Sequence, residues 1–122
     1  MPDTPDNNCE SAESNSSTFM GCKMTRAFDA DEIDVVISGI PCDQTTTGRP
    51  GARFGPASIR KASAHLDWEL RRWPWDFSVF DVLRVVDGGD LCFDTADFNQ
   101  FLGQIQQHAS KISSISHRFI SP

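Results

Sequence analysis

Between Ile33 and Ile40 the chain sets Val35, Val36 and Ile37 side by side, then stops at Gly39 and Pro41. Consecutive β-branched residues without polar alternation suit a strand covered on both faces, as in a parallel sheet layered between helices. That run restricts the chain to an α/β architecture, and the patterns that follow agree with it. Gly55-Pro56 opens a helix, because a proline at the first helical position has no amide hydrogen to lose. Ile59, Ala62, Leu66 and Leu70 recur at helical spacing and are expected to cover the sheet. Leu83 to Val86 reads as a second strand, parallel to the first and closed by Asp87-Gly88-Gly89-Asp90. A second helix is expected from about Ala96 to Ile112, with Phe98, Phe101, Leu102, Ile105, Ala109 and Ile112 inward and Gln104 in water. His117 to Ser121 is expected to begin a third strand. The order β-α-β-α-β is that of a three-layer α/β/α fold with a parallel sheet.

Only one small domain fits in 122 residues. Residues 1 to 28 are rich in Ser, Asn, Asp and Glu, cannot bury enough surface to offset chain entropy, and are expected to form a disordered tail. The folded part is expected to span residues 29–122. With 17 acidic and 11 basic side chains the formal charge is -6, which argues against a nucleic-acid partner. No apolar run approaches the roughly 20 residues needed to cross a bilayer. Met1 to Thr18 has no Lys, no Arg and no apolar core, so it fits neither a signal peptide nor a transit peptide, and a cytoplasmic protein is expected. Cys9, Cys22, Cys42 and Cys92 are irregularly spaced and are expected to be reduced thiols, not zinc ligands. Trp73-Pro74-Trp75-Asp76-Phe77 is expected to break the first helix and pack its rings against the sheet edge.

The loop from Cys42 to Gly55 leaves the carboxyl end of the first strand, where open α/β sheets place their ligands. Its composition, with Thr45-Thr46-Thr47, Gly48, Pro50 and Gly51, is too specific for a simple turn. Arg53 and Arg60 are placed to pair with Asp43 or Asp87 and brace it. Elsewhere the chemistry is thin. His65 and Glu69 stand four apart, a spacing that can hold a metal, but no third ligand is evident. His108 and His117 lack a paired nucleophile or acid, and neither a Gly-x-Ser-x-Gly elbow nor a phosphate loop occurs.

The series Gly39-Ile40-Pro41-Cys42-Asp43, Thr47-Gly48-Arg49-Pro50-Gly51-Ala52-Arg53-Phe54-Gly55-Pro56 and Ser58-Ile59-Arg60 resembles the N-terminal signature of the ureohydrolases (the arginase/agmatinase family), and most closely its agmatinase branch. Trp68-Glu69, Pro74-Trp75-Asp76-Phe77 and Val86-Asp87-Gly88-Gly89-Asp90-Leu91 continue the likeness in order to the end of the chain. The resemblance implies an arginase-like fold, here its first β-α-β-α-β portion. It also makes the loop a neighbour of the active site, with Asp43, Thr46, Gly48, Arg49 and Arg53 as the candidate residues. Members hydrolyse guanidino compounds, agmatine giving putrescine and urea, through a manganese-bridged hydroxide.

Family members hold Mn²⁺ with a His after Gly-Gly-Asp, an Asp-x-His-x-Asp group and a later Asp-x-Asp group. None of these occurs here; Leu91 follows Gly88-Gly89-Asp90. The chain is therefore expected to be an N-terminal portion that binds no cofactor and is inactive alone. Other readings stay open. One is an interaction module that docks onto full-length ureohydrolase subunits or forms a homo-oligomer. Another is a small-ligand binder, and a third a guanidinobutyrate-type hydrolase cut in the same way.

Overall fold

The computed structural model describes residues 17–29, 31–69, 71, 73–92 and 97–116. Three strands, β1 (Lys23–Met24), β2 (Val35–Gly39) and β3 (Val85–Asp90), form a parallel sheet in the order β1-β3-β2. β2 and β3 are parallel, as the two apolar runs imply. β3 lies in the middle, and Val86, Asp87, Gly88 and Gly89 along it are buried. Among the described residues three α-helices accompany the sheet: α1 (Gly55–Ser63), a single turn α2 (Val79–Val82) and α3 (Phe98–Ser116).

The layers follow from which side chains meet across the sheet. On one face, a Cβ added to Gly39 would stand 2.0 Å from the Asp90 carboxylate and 2.8 Å from Pro56, at the start of α1. On the other face, a Cβ on Gly88 would meet Ser38 at 2.9 Å and the Phe28 ring at 3.0 Å, and His108 of α3 bonds to that same Ser38. At the amino ends of β2 and β3, Arg84 grips both oxygens of Asp34, at 2.9 Å each. Hydrogen bonds from the Arg84 side chain, and then from its amide, hold the Asp34 carboxyl down at about 2.

Several expectations change in the folded chain. Thr18 to Phe28, assigned to the tail, instead supply a 3₁₀ turn (Phe19–Gly21) and β1, with Cys22 in the core. Residues 1–16 lie outside the described residues. The second strand starts later and runs through Asp87-Gly88-Gly89-Asp90, because α2 occupies the preceding residues. Ser78 and Asp81 cap α2 reciprocally, a Ser-x-x-Asp signal visible in the sequence.

The inward face of α1 is not the apolar stripe. Arg60 and Ser63 are buried, whereas Ile59 is 59% and Leu66 43% exposed. A carboxylate with no access to water, Asp87, lies beneath the helix and requires a cation, so the helix turns Arg60 inward. Leu70 lies outside the described residues. α3 buries Phe101 and half-buries Gln104, Ile105, His108 and Ile112, leaving Phe98, Leu102 and Ala109 exposed. The aromatic connector does not pack on the sheet: Trp73 and Trp75 are 92% and 64% exposed, and Trp75 meets only the edge of Phe77 among the described rings. Cys22 and Cys42 are free thiols, but Cys92, exposed just past β3, is disulfide-bonded, against the expectation for it. The expected third strand at His117 to Ser121 lies outside the described residues.

The contact at Gly39 gives a direct test. Gly39→Ala should destabilise the chain by about 1–3 kcal/mol through overpacking. Gly48→Ala, where a Cβ meets nothing within 4 Å, should stay within about 0.5 kcal/mol. Urea denaturation of the two variants checks the contrast.

Candidate functional site

β2 ends at Gly39, and the chain turns out over the carboxyl edge of the sheet through Ile40 to Phe54 before entering α1. Asp43 organises this loop. Its carboxylate accepts a hydrogen bond from the Gly51 amide at 2.9 Å and pairs with Arg53 Nε at 3.3 Å, while its carbonyl accepts from the Thr46 amide at 3.2 Å. Gly51, at φ 149°, makes the turn that brings its amide back to Asp43. Of the candidate residues, the structure thus joins Asp43, Thr46 and Arg53. Gly48 and Arg49 sit on the exposed crown of the loop. Arg53 is half in solvent and lies 5.3 Å from the centre of the Phe54 ring.

Beneath the loop lies a buried charge cluster. Arg60 donates from Nε to Asp87 Oδ2 at 2.8 Å and from Nη2 to Oδ1 at 2.9 Å, and its third nitrogen, Nη1, reaches Asp90. Asp87 also accepts from the amides of Phe19, at 2.8 Å, and Gly89, at 2.9 Å. Burial pushes the Asp87 carboxyl up. The Arg60 hydrogen bonds, the Phe19 and Gly89 amides and the Arg60 charge together outweigh it, so the group titrates below its ordinary value. Hydrogen bonding to Asp87 likewise raises Arg60 against the effect of its own burial. Both groups are charged at neutral pH.

Sequence reasoning offered Asp43 or Asp87 as the partner of Arg60; the structure selects Asp87 and adds Asp90, which the sequence reading missed. In a regular strand, residues three apart point to opposite faces. Here the pairing slips between Ile37↔Asp87 and Gly39↔Asp90, with Gly89 at φ 72°, so β3 carries one extra residue. That bulge turns Asp90 to the same side as Asp87. The glycine pair in Asp-Gly-Gly-Asp was the available signal. The Phe19 amide gave none, since it lies in polar sequence.

A cavity of about 210 Å³ opens where β2 meets α1, walled by Ile37, Gly39, Ile40, Pro56, Ile59 and Arg60. It is mostly apolar, and the Arg60 charge at its base is already matched by Asp87 and Asp90. Among the described residues no three His, Cys, Asp or Glu side chains gather to hold a metal. His65 and Glu69 fall in a 3₁₀ stretch (Ala64–Glu69) and belong to no group of three such ligands among the described residues. The arrangement braces a loop and shapes a pocket.

Cutting the brace should be costly. Arg60→Ala leaves Asp87 buried and unpaired, for an expected loss of about 3–5 kcal/mol. Arg60→Lys, unable to span two carboxylates with a planar fork, should recover part of it. Because Asp87 titrates below its ordinary value when folded, its contribution is present above about pH 4 and lost as pH falls through the folded value. Denaturant titrations at neutral and acid pH measure both effects, and an unchanged Arg60→Ala midpoint would refute the assignment.

Comparison with known proteins fits this geometry. The Arginase family profile matches residues 33–121. The chain is 39% identical over 112 residues to an agmatinase of Photorhabdus laumondii, an alignment covering 92% of this chain and 36% of the relative. It is 47% identical over 92 residues to an agmatinase of Sodalis glossinidius, covering 75% and 30%. A crystal structure described as a hypothetical agmatinase from Burkholderia thailandensis superposes with a TM-score of 0.74 at 42% identity, covering 84% of this chain and 32% of that one. The chain spans about a third of the length of these relatives. No described helix is long and apolar enough to cross a membrane. On its loop, its parallel sheet and the matched residues 33–121, this chain belongs to the arginase family.

Proposed function

We propose that this chain forms the amino-terminal frame of an agmatinase-type guanidino-hydrolase: the strand, loop and helix that border the substrate site, acting in the cytoplasm. The observation that carries this is the Asp43-braced loop at the carboxyl edge of parallel strands, in a sequence 39–47% identical to agmatinases. Agmatine is the proposed substrate of the complete catalytic unit, and Asp43, Thr46, Gly48, Arg49 and Arg53 are the residues that would face it. Manganese would supply a metal-bound hydroxide in such a unit. The described residues do not fit that ion, since Asp87 and Asp90 are ion-paired with Arg60 and no group of three donors stands together. No catalytic step is therefore assigned to this chain.

A second reading has an observation in its favour. Ile40, Phe54, Ile59 and Leu66 are 43–62% exposed, which suits a surface that docks onto a ureohydrolase subunit.

Two measurements test the proposal. The purified chain should release no urea from agmatine or 4-guanidinobutyrate, with or without added Mn²⁺, and manganese-dependent turnover would overturn that. Exchanging residues 33–116 into the matching segment of the Photorhabdus agmatinase should keep agmatine hydrolysis within about tenfold, or roughly 1.4 kcal/mol of barrier. A folded chimera without activity would sink the frame assignment.

A further inference from the structure

The Asp43 and Arg60 systems leave unexplained a polar contact on the opposite face of the sheet. His108, half-buried on α3, places Nε2 3.0 Å from Ser38 Oγ on β2. Ser38 and the Phe28 ring fill the space above Gly88, the only residue type that fits there, given the 2.9 and 3.0 Å approaches a Cβ would make. His108 meets the edge of Phe28 at 6.3 Å between ring centres, and the Lys111 ammonium lies 5.4 Å from the same ring. This histidine cluster is thus one of the attachments of α3, beside buried Phe101 and half-buried Ile105 and Ile112.

We propose that His108 is a pH-sensitive latch, fastening α3 to β2 while uncharged and loosening the helix when it gains a proton under mildly acidic conditions. Protonation leaves a hydrogen available for Ser38, so the bond itself is not what fails. The cost is that of placing a charge in a half-buried site among other positive charges. Ser38 from β2 and Phe28 from the segment after β1 meet the ring, and Lys111, one turn further along α3, shares the Phe28 ring with it. The two whose charges act on it, Lys111 and Arg26, are both cations. Burial first, and then those two charges, depress the His108 affinity for a proton below its ordinary 6.5. The sign follows from linkage. The unfolded chain binds the proton more readily, so the stabilisation is complete above the folded and unfolded values. It is lost as pH falls through about 6.5 toward the lower, folded value.

The test uses the full chain. Imidazole titration by NMR, with the signal assigned by His108→Gln, should place His108 below 6.5. Between about pH 7.5 and pH 5.5 the thermal midpoint and helical circular dichroism of the unaltered chain should fall. His108→Gln keeps a hydrogen-bonding group for Ser38 without a titrating charge, and should flatten that pH dependence. Lys111→Gln should weaken it, while His65→Gln, at an exposed site, should leave it intact. A His108 titrating at or above 6.5, or a His108→Gln variant with the unaltered pH profile, would overturn the proposal. Should His108→Gln fail to fold, His65→Gln and His117→Gln assign the remaining imidazole signal by elimination, and the titration of the unaltered chain still decides.

Discussion

Asp87 has no access to water, and the rest of the unit is arranged around that fact. An isolated carboxylate in such a place would be expelled or protonated. Here all its bonding capacity is used, by two Arg60 nitrogens and the amides of Phe19 and Gly89. Each partner comes from a different part of the chain, so satisfying one side chain fixes the 3₁₀ turn, α1 and the end of β3 relative to one another. Ser63 extends the network, donating to the Arg60 carbonyl at 2.7 Å and accepting from the Met20 amide at 2.8 Å. A buried ion pair of this kind is poor evidence for net stability, because desolvation offsets much of its attraction. Its contribution here is geometric: only one rotation of α1 satisfies it.

That rotation has a consequence for the outer surface. With Arg60 and Ser63 turned inward, the apolar stripe of Ile59 and Leu66 faces outward, beside exposed Ile40 and Phe54. The core that remains is small, with Cys22, Ile33, Val86 and Phe101 its buried hydrophobic members among the described residues. The sheet is held as much by polar fasteners as by apolar contact: Arg84 with Asp34 at the amino ends of its strands, Arg60 with Asp87 and Asp90 at the carboxyl ends.

Two arginine–aspartate pairs serve the candidate site in different ways. The Arg60 pair lies under the sheet edge and is shielded from salt and water. The Arg53–Asp43 pair is half exposed and contributes at most about 1 kcal/mol. The loop therefore owes its shape to the closed ring from Asp43 to the Gly51 amide more than to the ion pair. A rigid base under a loop held by local bonds is a common basis for a binding site, since loops carry the specificity and the scaffold carries the position.

The β-branched run Val35-Val36-Ile37, the Gly-Pro helix start and the glycine-rich loop determined the α/β class, the parallel pairing and the family, because each is a local preference that most neighbours leave intact. That Arg53 and Arg60 would pair with Asp43 or Asp87 was also legible, as complementary charges around one loop, though which pairs with which came only from the structure. Other features depend on residues distant in sequence. The Phe19 amide meets Asp87 across 68 positions, and His108 meets Ser38 across 70, with no local pattern to announce either. The inward face of α1 went against its own apolar periodicity, because a fully buried charge makes a larger demand than the burial of one or two aliphatic side chains. Asp90 joined Asp87 only through a bulge at Gly89, which reversed the alternation a strand would otherwise impose. The sequence by itself determined the kind of fold and the loop at its edge. Tertiary structure decided which face each helix buries, since that depends on what lies beneath it.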